Sequence, residues 1–144
     1  MAGFVALGND LYIGTYKSAV KNGVENGQWV VLDHKVKTGT LADATTGDKE
    51  VYFVVNEVDT VDEQSIDTVD YKVKEGEYLR LKKPQVGEIL VATKFNGTLA
   101  EGDEVAVGAG GNVEAIGSRT PITKLVVKEK TNEYGEETLR LLVL

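Results

Sequence analysis

Apolar and polar residues alternate along most of this chain in short stretches, and turn-forming residues interrupt them about every ten positions, as in proteins built from many short β-strands. Leu11 to Tyr16 is the first such run. The Asn22-Gly23 and Asn26-Gly27 pairs that follow mark tight turns, because both residue types reach positive φ at little cost. Trp29 to Leu32 reads as the next strand and Thr38 to Lys49 as a polar loop. After it, Val51-Tyr52-Phe53-Val54-Val55 is an unbroken apolar run within Glu50 to Asn56, which predicts a strand buried on both faces. Tyr71 to Lys74 and Tyr78 to Lys82 alternate apolar with charged residues, so each predicts a strand with one wet face, and Pro84 ends the pair.

The second half is more regular. Glu88 to Thr93 is followed by a turn at Asn96-Gly97, then by Gly102 to Val107, the turn Gly108-Ala109-Gly110-Gly111, and Asn112 to Ile116. Gly102 to Ile116 has the length of a hairpin, and Lys124 to Lys130 with Thr138 to Leu144 flank Asn132 to Gly135 as a terminal hairpin. About ten short strands, mostly antiparallel, with no helical periodicity beyond one turn, predict an all-β protein, either a small β-barrel or a β-sandwich. Asp59 to Asp67 is the one ambiguous stretch: Val61, Gln64 and Ile66 do not alternate cleanly, and a short helix is the alternative there.

A length of 144 residues fits one domain spanning 1–144, with a short N-terminal arm over 1–10. The absence of cysteine removes disulfides, thiolate nucleophiles and cysteine metal sites, so packing and hydrogen bonds hold the fold. Met1 to Asp10 has no basic region, and no run of roughly 18 apolar residues occurs, so synthesis in a cytoplasm and no membrane partner are expected. The net charge of −7 is uneven: residues 1–49 balance, whereas residues 50–117 supply the excess of acid. Such a field repels phosphate backbones, and no basic stripe interleaved with aromatics opposes it, so nucleic acid is not an expected partner.

Candidate chemistry is sparse. His34, the one histidine, lies between Asp33 and Lys35 at a strand end, without the motif of a nucleophile or a metal site, and reads as a surface residue. Residues 57–70 hold six acids and no base. Hard oxygen ligands suit calcium, but the spacing is not that of an EF-hand, and a solvated loop or ragged edge strand is the simpler reading. Gly108 to Gly111 matches no phosphate-loop pattern and reads as a hairpin turn. Trp29 is a core anchor if buried and an interface hot spot if exposed; its apolar neighbours favour the core. No catalysis, cofactor or required metal is expected.

The loop Leu41-Ala42-Asp43-Ala44-Thr45-Thr46-Gly47-Asp48, together with Val86-Gly87-Glu88 through Ala100-Glu101-Gly102-Asp103-Glu104-Val105 to Gly111-Asn112-Val113-Glu114-Ala115, resembles the small decoration or cement proteins that coat tailed-bacteriophage heads. The resemblance spans residues 40–117. It implies a structural virion protein on the capsid surface that binds the major capsid protein, as a homo-oligomer or a symmetric multi-copy array, and stabilises the shell. Some members of that family carry a long N-terminal arm, and here only about ten residues precede the first strand. A receptor-binding or carbohydrate-binding module of a tail or fibre is the alternative, for which clustered exposed aromatics are expected. Strand edges at the two termini are the expected contacts with the partner: Leu11, Tyr12 and Ile13 in the first strand, and Leu141, Leu142, Val143 and Leu144 in the last.

Overall fold

The computed structural model describes residues 12–55, 72–133 and 136–144. It is all-β, with ten strands in two sheets. Strands β1 (Tyr12–Ser18), β2 (Trp29–Asp33), β3 (Thr38–Leu41), β4 (Tyr52–Val54) and β5 (Tyr78–Lys82) close into a small barrel in the order β1-β3-β2-β4-β5. Every pairing in it is antiparallel except β1 with β3, which run parallel at Lys17–Thr38 and Ser18–Gly39. Closure satisfies backbone groups that an open sheet of such short strands would leave at its edges. The interior is filled by Tyr16, Val30, Tyr52, Val54, Leu79 and Leu81, joined by Val24 and Val73, whose own bridge plugs one end. Gly39 faces this crowded interior: a methyl group on it would lie 2.7 Å from Leu79 Cδ1.

The second sheet comprises β6 (Ile89–Ala92), β7 (Glu104–Val107), β8 (Val113–Ala115), β9 (Leu125–Glu133) and β10 (Glu136–Val143), in the order β6-β10-β9-β7-β8. All its ladders are antiparallel. Beyond β6 the chain turns to the opposite margin, where Phe95 forms a parallel bridge with Val113 of β8. The expected hairpin of Gly102 to Ile116 is present as β7 and β8, paired from Val105–Ala115 to Val107–Val113. The terminal hairpin is present as β9 and β10, with a bulge that places Lys128 as the extra residue between the Arg140–Glu129 and Leu141–Val127 pairs.

One apolar cluster joins the two sheets. Trp29, Ala42, Val51 and Phe53 leave the barrel on its outer side and pack against Leu90, Leu99, Val105, Val107, Leu125, Leu139 and Leu141 of the second sheet. The side chains of β2 and β4 therefore divide between two cores: Val30, Tyr52 and Val54 point into the barrel, while Trp29 and Phe53 point across the seam, with ring centroids 5.1 Å apart. Val51 to Val54 are all buried, as the apolar run predicts, whereas Val55 at its end is 44% exposed beyond β4. Trp29 is fully buried and belongs to the core.

Two expectations are corrected. Thr38 to Lys49 is not wholly a loop: Thr38–Leu41 is strand β3, paired with β2 from Val30–Leu41 to Asp33–Thr38. Its glycine, a turn signal in the sequence, is there because the barrel interior has no room for a side chain. The last strand also offers no free edge, because β10 lies between β6 and β9 and is hydrogen-bonded on both sides. Leu141 and Val143 point into the core, while Leu142 is half-buried and Leu144 exposed. The backbone of Tyr12 and Ile13 pairs with Lys82 and Leu81 of β5. Leu11 and the acidic run 57–70 lie outside the described residues.

Candidate interaction surface

The turn between β2 and β3 is built by Asp33. Its Oδ1 accepts the amide protons of Lys35 at 2.9 Å and Val36 at 3.3 Å, an Asx turn that reverses the chain, and Lys37, at φ +57°, delivers it into β3. His34 is exposed on this turn, at the mouth of the barrel. Two interior tyrosines reach the same rim. The Tyr16 hydroxyl lies 2.5 Å from His34 Nδ1, with the rings edge to face at 5.5 Å. The Tyr52 hydroxyl donates to Glu50 Oε1 at 2.5 Å, and Lys83 Nζ donates to the same oxygen at 2.8 Å.

These contacts set the charge states. Lys83 first, and the Tyr52 hydroxyl second, hold the Glu50 carboxyl below the usual carboxylate range. Burial, reinforced by Glu50, pushes the Tyr52 phenol well above its ordinary value. At neutral pH Glu50 is an ion paired with Lys83, and Tyr52 is a neutral donor, unsuited to act as a base or nucleophile.

Glu50 stands between two hollows and lines both, while Lys83 lines only the second. One, of about 360 Å³, opens at the barrel mouth and is lined by Val31, Leu32, His34, Thr46, Lys49 and Tyr52 besides Glu50. The other, of about 340 Å³, follows the seam between the sheets and is walled by Pro84, Val86, Ile122 and Leu144. Its rim is unusually apolar for a free surface: Val86 is 81% exposed, Ile122 74% and Leu144 44%. Of the residues expected at a partner interface, Leu144 alone lines this hollow with an exposed side chain; Val143 lines it from the core side. Sequence reasoning missed Val86 and Ile122. Each is a lone apolar residue in a turn, between Gln85 and Gly87 or between Pro121 and Thr123, where no core demands one. That isolation was the available signal.

The motif Leu41 to Asp48 proves to be a brace between the sheets. Asp43 Oδ1 accepts the amides of Thr45 and Thr46, each at 2.8 Å, while Thr46 Oγ1 accepts the Asp43 amide at 2.9 Å. The Thr46 and Thr45 amides hold the Asp43 carboxyl below its ordinary value. This reciprocal lock starts a short 3-10 turn at Thr46–Asp48. From there Asp48 Oδ1 accepts Arg119 Nε at 2.8 Å, and the Arg119 NH2 group donates to the Val107 carbonyl of β7. Gly47 lies so close to that carbonyl that any side chain would collide with it.

Comparison with protein-family models, with curated proteins and with solved structures found no match to this chain. The reading of its function therefore rests on its own residues. Among the described residues no group of three or more His, Asp or Glu side chains is placed to hold a metal ion. What the rim offers chemically is contact: apolar side chains held out into solvent, a central ion pair, and hydroxyl and ammonium donors around it.

Proposed function

We propose that this chain is a structural virion protein that binds the outside of a tailed-phage capsid in many symmetric copies and braces the shell. The observation that carries the binding role is the exposed apolar seam of Pro84, Val86, Ile122 and Leu144 around the Glu50–Lys83 pair. An apolar centre beside a compact polar pair is the composition of a protein-binding hot spot, and leaving it in water has no benefit to an isolated domain. The capsid as partner comes from the resemblance of residues 40–117 to decoration proteins. Repetition supplies avidity, so a contact of this modest size suffices on a lattice of identical sites.

The test is co-sedimentation with empty shells assembled from the major capsid protein of the source, comparing the parent chain with Val86→Asp/Ile122→Asp. The parent pellets with shells at saturating stoichiometry, and the double variant, whose substitutions lie on exposed positions, loses binding by at least about tenfold while keeping its melting temperature. No binding of the parent at micromolar concentration would remove the capsid reading and favour the receptor-binding or carbohydrate-binding module.

A further inference from the structure

Closing a barrel removes its edges, but the second sheet keeps two margins, and the chain treats them differently. At β8 the margin is covered: Val113 donates its amide to the Lys94 carbonyl at 3.2 Å, and its own carbonyl accepts the Asn96 amide at 2.8 Å. At the other margin stands β6, with β10 on one side and, among the described residues, no strand on the other. The direction of its backbone groups follows from the ladder. Val143 donates its amide to the Glu88 carbonyl at 2.9 Å, so Glu88, Leu90 and Ala92 are the positions that bond to β10. By the alternation of an antiparallel pair, Ile89 and Val91 aim their N–H and C=O groups outward.

Nothing within β6 guards this edge. Its sequence Ile-Leu-Val-Ala has no charge, proline or glycine, and its register with β10 runs without a bulge. Ile89 and Val91 are each 49% exposed, while Leu90 and Ala92 are buried. Outward backbone groups beside exposed apolar side chains form a template for another strand. The charges at the two ends of β6 select which strand. Glu88 precedes it, paired with Lys82, and Lys94 follows it, paired with Glu25. A second β6 laid antiparallel about a two-fold axis at Leu90 sets Ile89 opposite the partner's Val91 and Val91 opposite the partner's Ile89, each pair exchanging both backbone hydrogen bonds. Glu88 then stands diagonal to the partner's Lys94, within reach of long side chains, and the row Lys82, Glu88, Lys94, Glu25 alternates in sign across the junction. A parallel strand would set acid beside acid and base beside base.

We propose that β6 is a self-association edge: two copies of this chain pair antiparallel through Ile89 and Val91 and join their five-stranded sheets into one continuous sheet. The net charge of −7 on each copy opposes the encounter, so pairing is weak in dilute solution and takes hold where copies are concentrated or set side by side. So short a contact buries less than the roughly 1,200–2,000 Å² of a standard interface, which also keeps it weak. No residue of β6 lines the seam hollow, so the inference stands apart from the capsid reading.

The experiment is sedimentation equilibrium with residue-resolved amide hydrogen exchange on the full chain. It runs from about 10 µM to about 1 mM protein at about 0.15 M ionic strength, where screening over about 8 Å removes most of the long-range repulsion. Dimer grows with concentration, and exchange at the Ile89 and Val91 amides slows by at least about twofold across the range, while that of Leu90, already bonded to β10, does not change. Val91→Lys, at an exposed position, keeps its melting temperature and stays monomeric. Lys94→Glu and Glu88→Lys each self-associate at least about threefold more weakly than the parent, and an equal mixture of the two pairs more tightly than either alone. A monomer at the top of the range, a dimer in which Ile89 and Val91 exchange as before, or a dimer that Val91→Lys leaves intact would each overturn the proposal, and a mixture no tighter than its components would overturn the antiparallel arrangement. If the variants fail to fold, the exchange of the parent decides by the same criteria.

Discussion

Trp29 is the residue on which the two cores turn. It is fully buried against Phe53 at the seam, where neither sheet can collapse to fill its space. Trp29→Ala is expected to cost about 3–5 kcal/mol, read by denaturant unfolding, and Trp29→Phe markedly less, because the ring contact survives. Gly47→Ala is expected to destabilise by more than the usual surface change, since the methyl group collides with the Val107 carbonyl and loosens the grip of Arg119 on the loop. Glu50 gives a sign to the pH dependence. Its carboxyl is depressed in the fold, so it binds fewer protons there than in the unfolded chain; its contribution is present above pH about 4.5 and is lost as pH falls below it. Unfolding free energy measured across that window should decline on acidification, and Glu50→Gln should flatten the decline. Because the pair with Lys83 is half in solvent, the difference stays within about 1 kcal/mol.

At the scale of the strand, much of the architecture was legible in the sequence, for physical reasons that differ from run to run. β4 showed itself because a strand with a core on each side must be apolar at every position, and Val51 to Val54 satisfy that condition. The β7–β8 and β9–β10 hairpins showed themselves through glycine or asparagine turns between alternating runs. β3 did not, because its pairing is imposed by barrel closure and its glycine by the Leu79 side chain, neither of which is local information. The terminal strands misled for a related reason: the last strand in sequence became a central strand in space, and a paired edge cannot receive a partner. The seam hollow was illegible because its walls come from four separated segments, at Glu50 to Val51, Lys83 to Val86, Ile122 to Thr123 and Val143 to Leu144. At this scale the expected result of shortening the Leu41–Asp48 brace, for example by Asp48→Ala, is a lower melting temperature with β-sheet circular dichroism retained, since Arg119 then loses its carboxylate while the ladders stay intact.

As a whole, the molecule is a closed barrel and a five-stranded sheet fused through one apolar seam, with an acidic net charge and an exposed apolar hollow along that seam. The proposed role assigns each feature a use: the acid would keep free copies apart, and the apolar seam would be covered on the shell. Binding an assembled shell and not its dissociated subunits must stabilise the shell by mass action. The measurement that bears most directly on this account is the rupture temperature of otherwise identical capsids with and without the protein at full occupancy. A rise of several degrees, absent with Val86→Asp/Ile122→Asp and present after deletion of Met1 to Gly8, is the result predicted; equal rupture temperatures at full occupancy would contradict a bracing role.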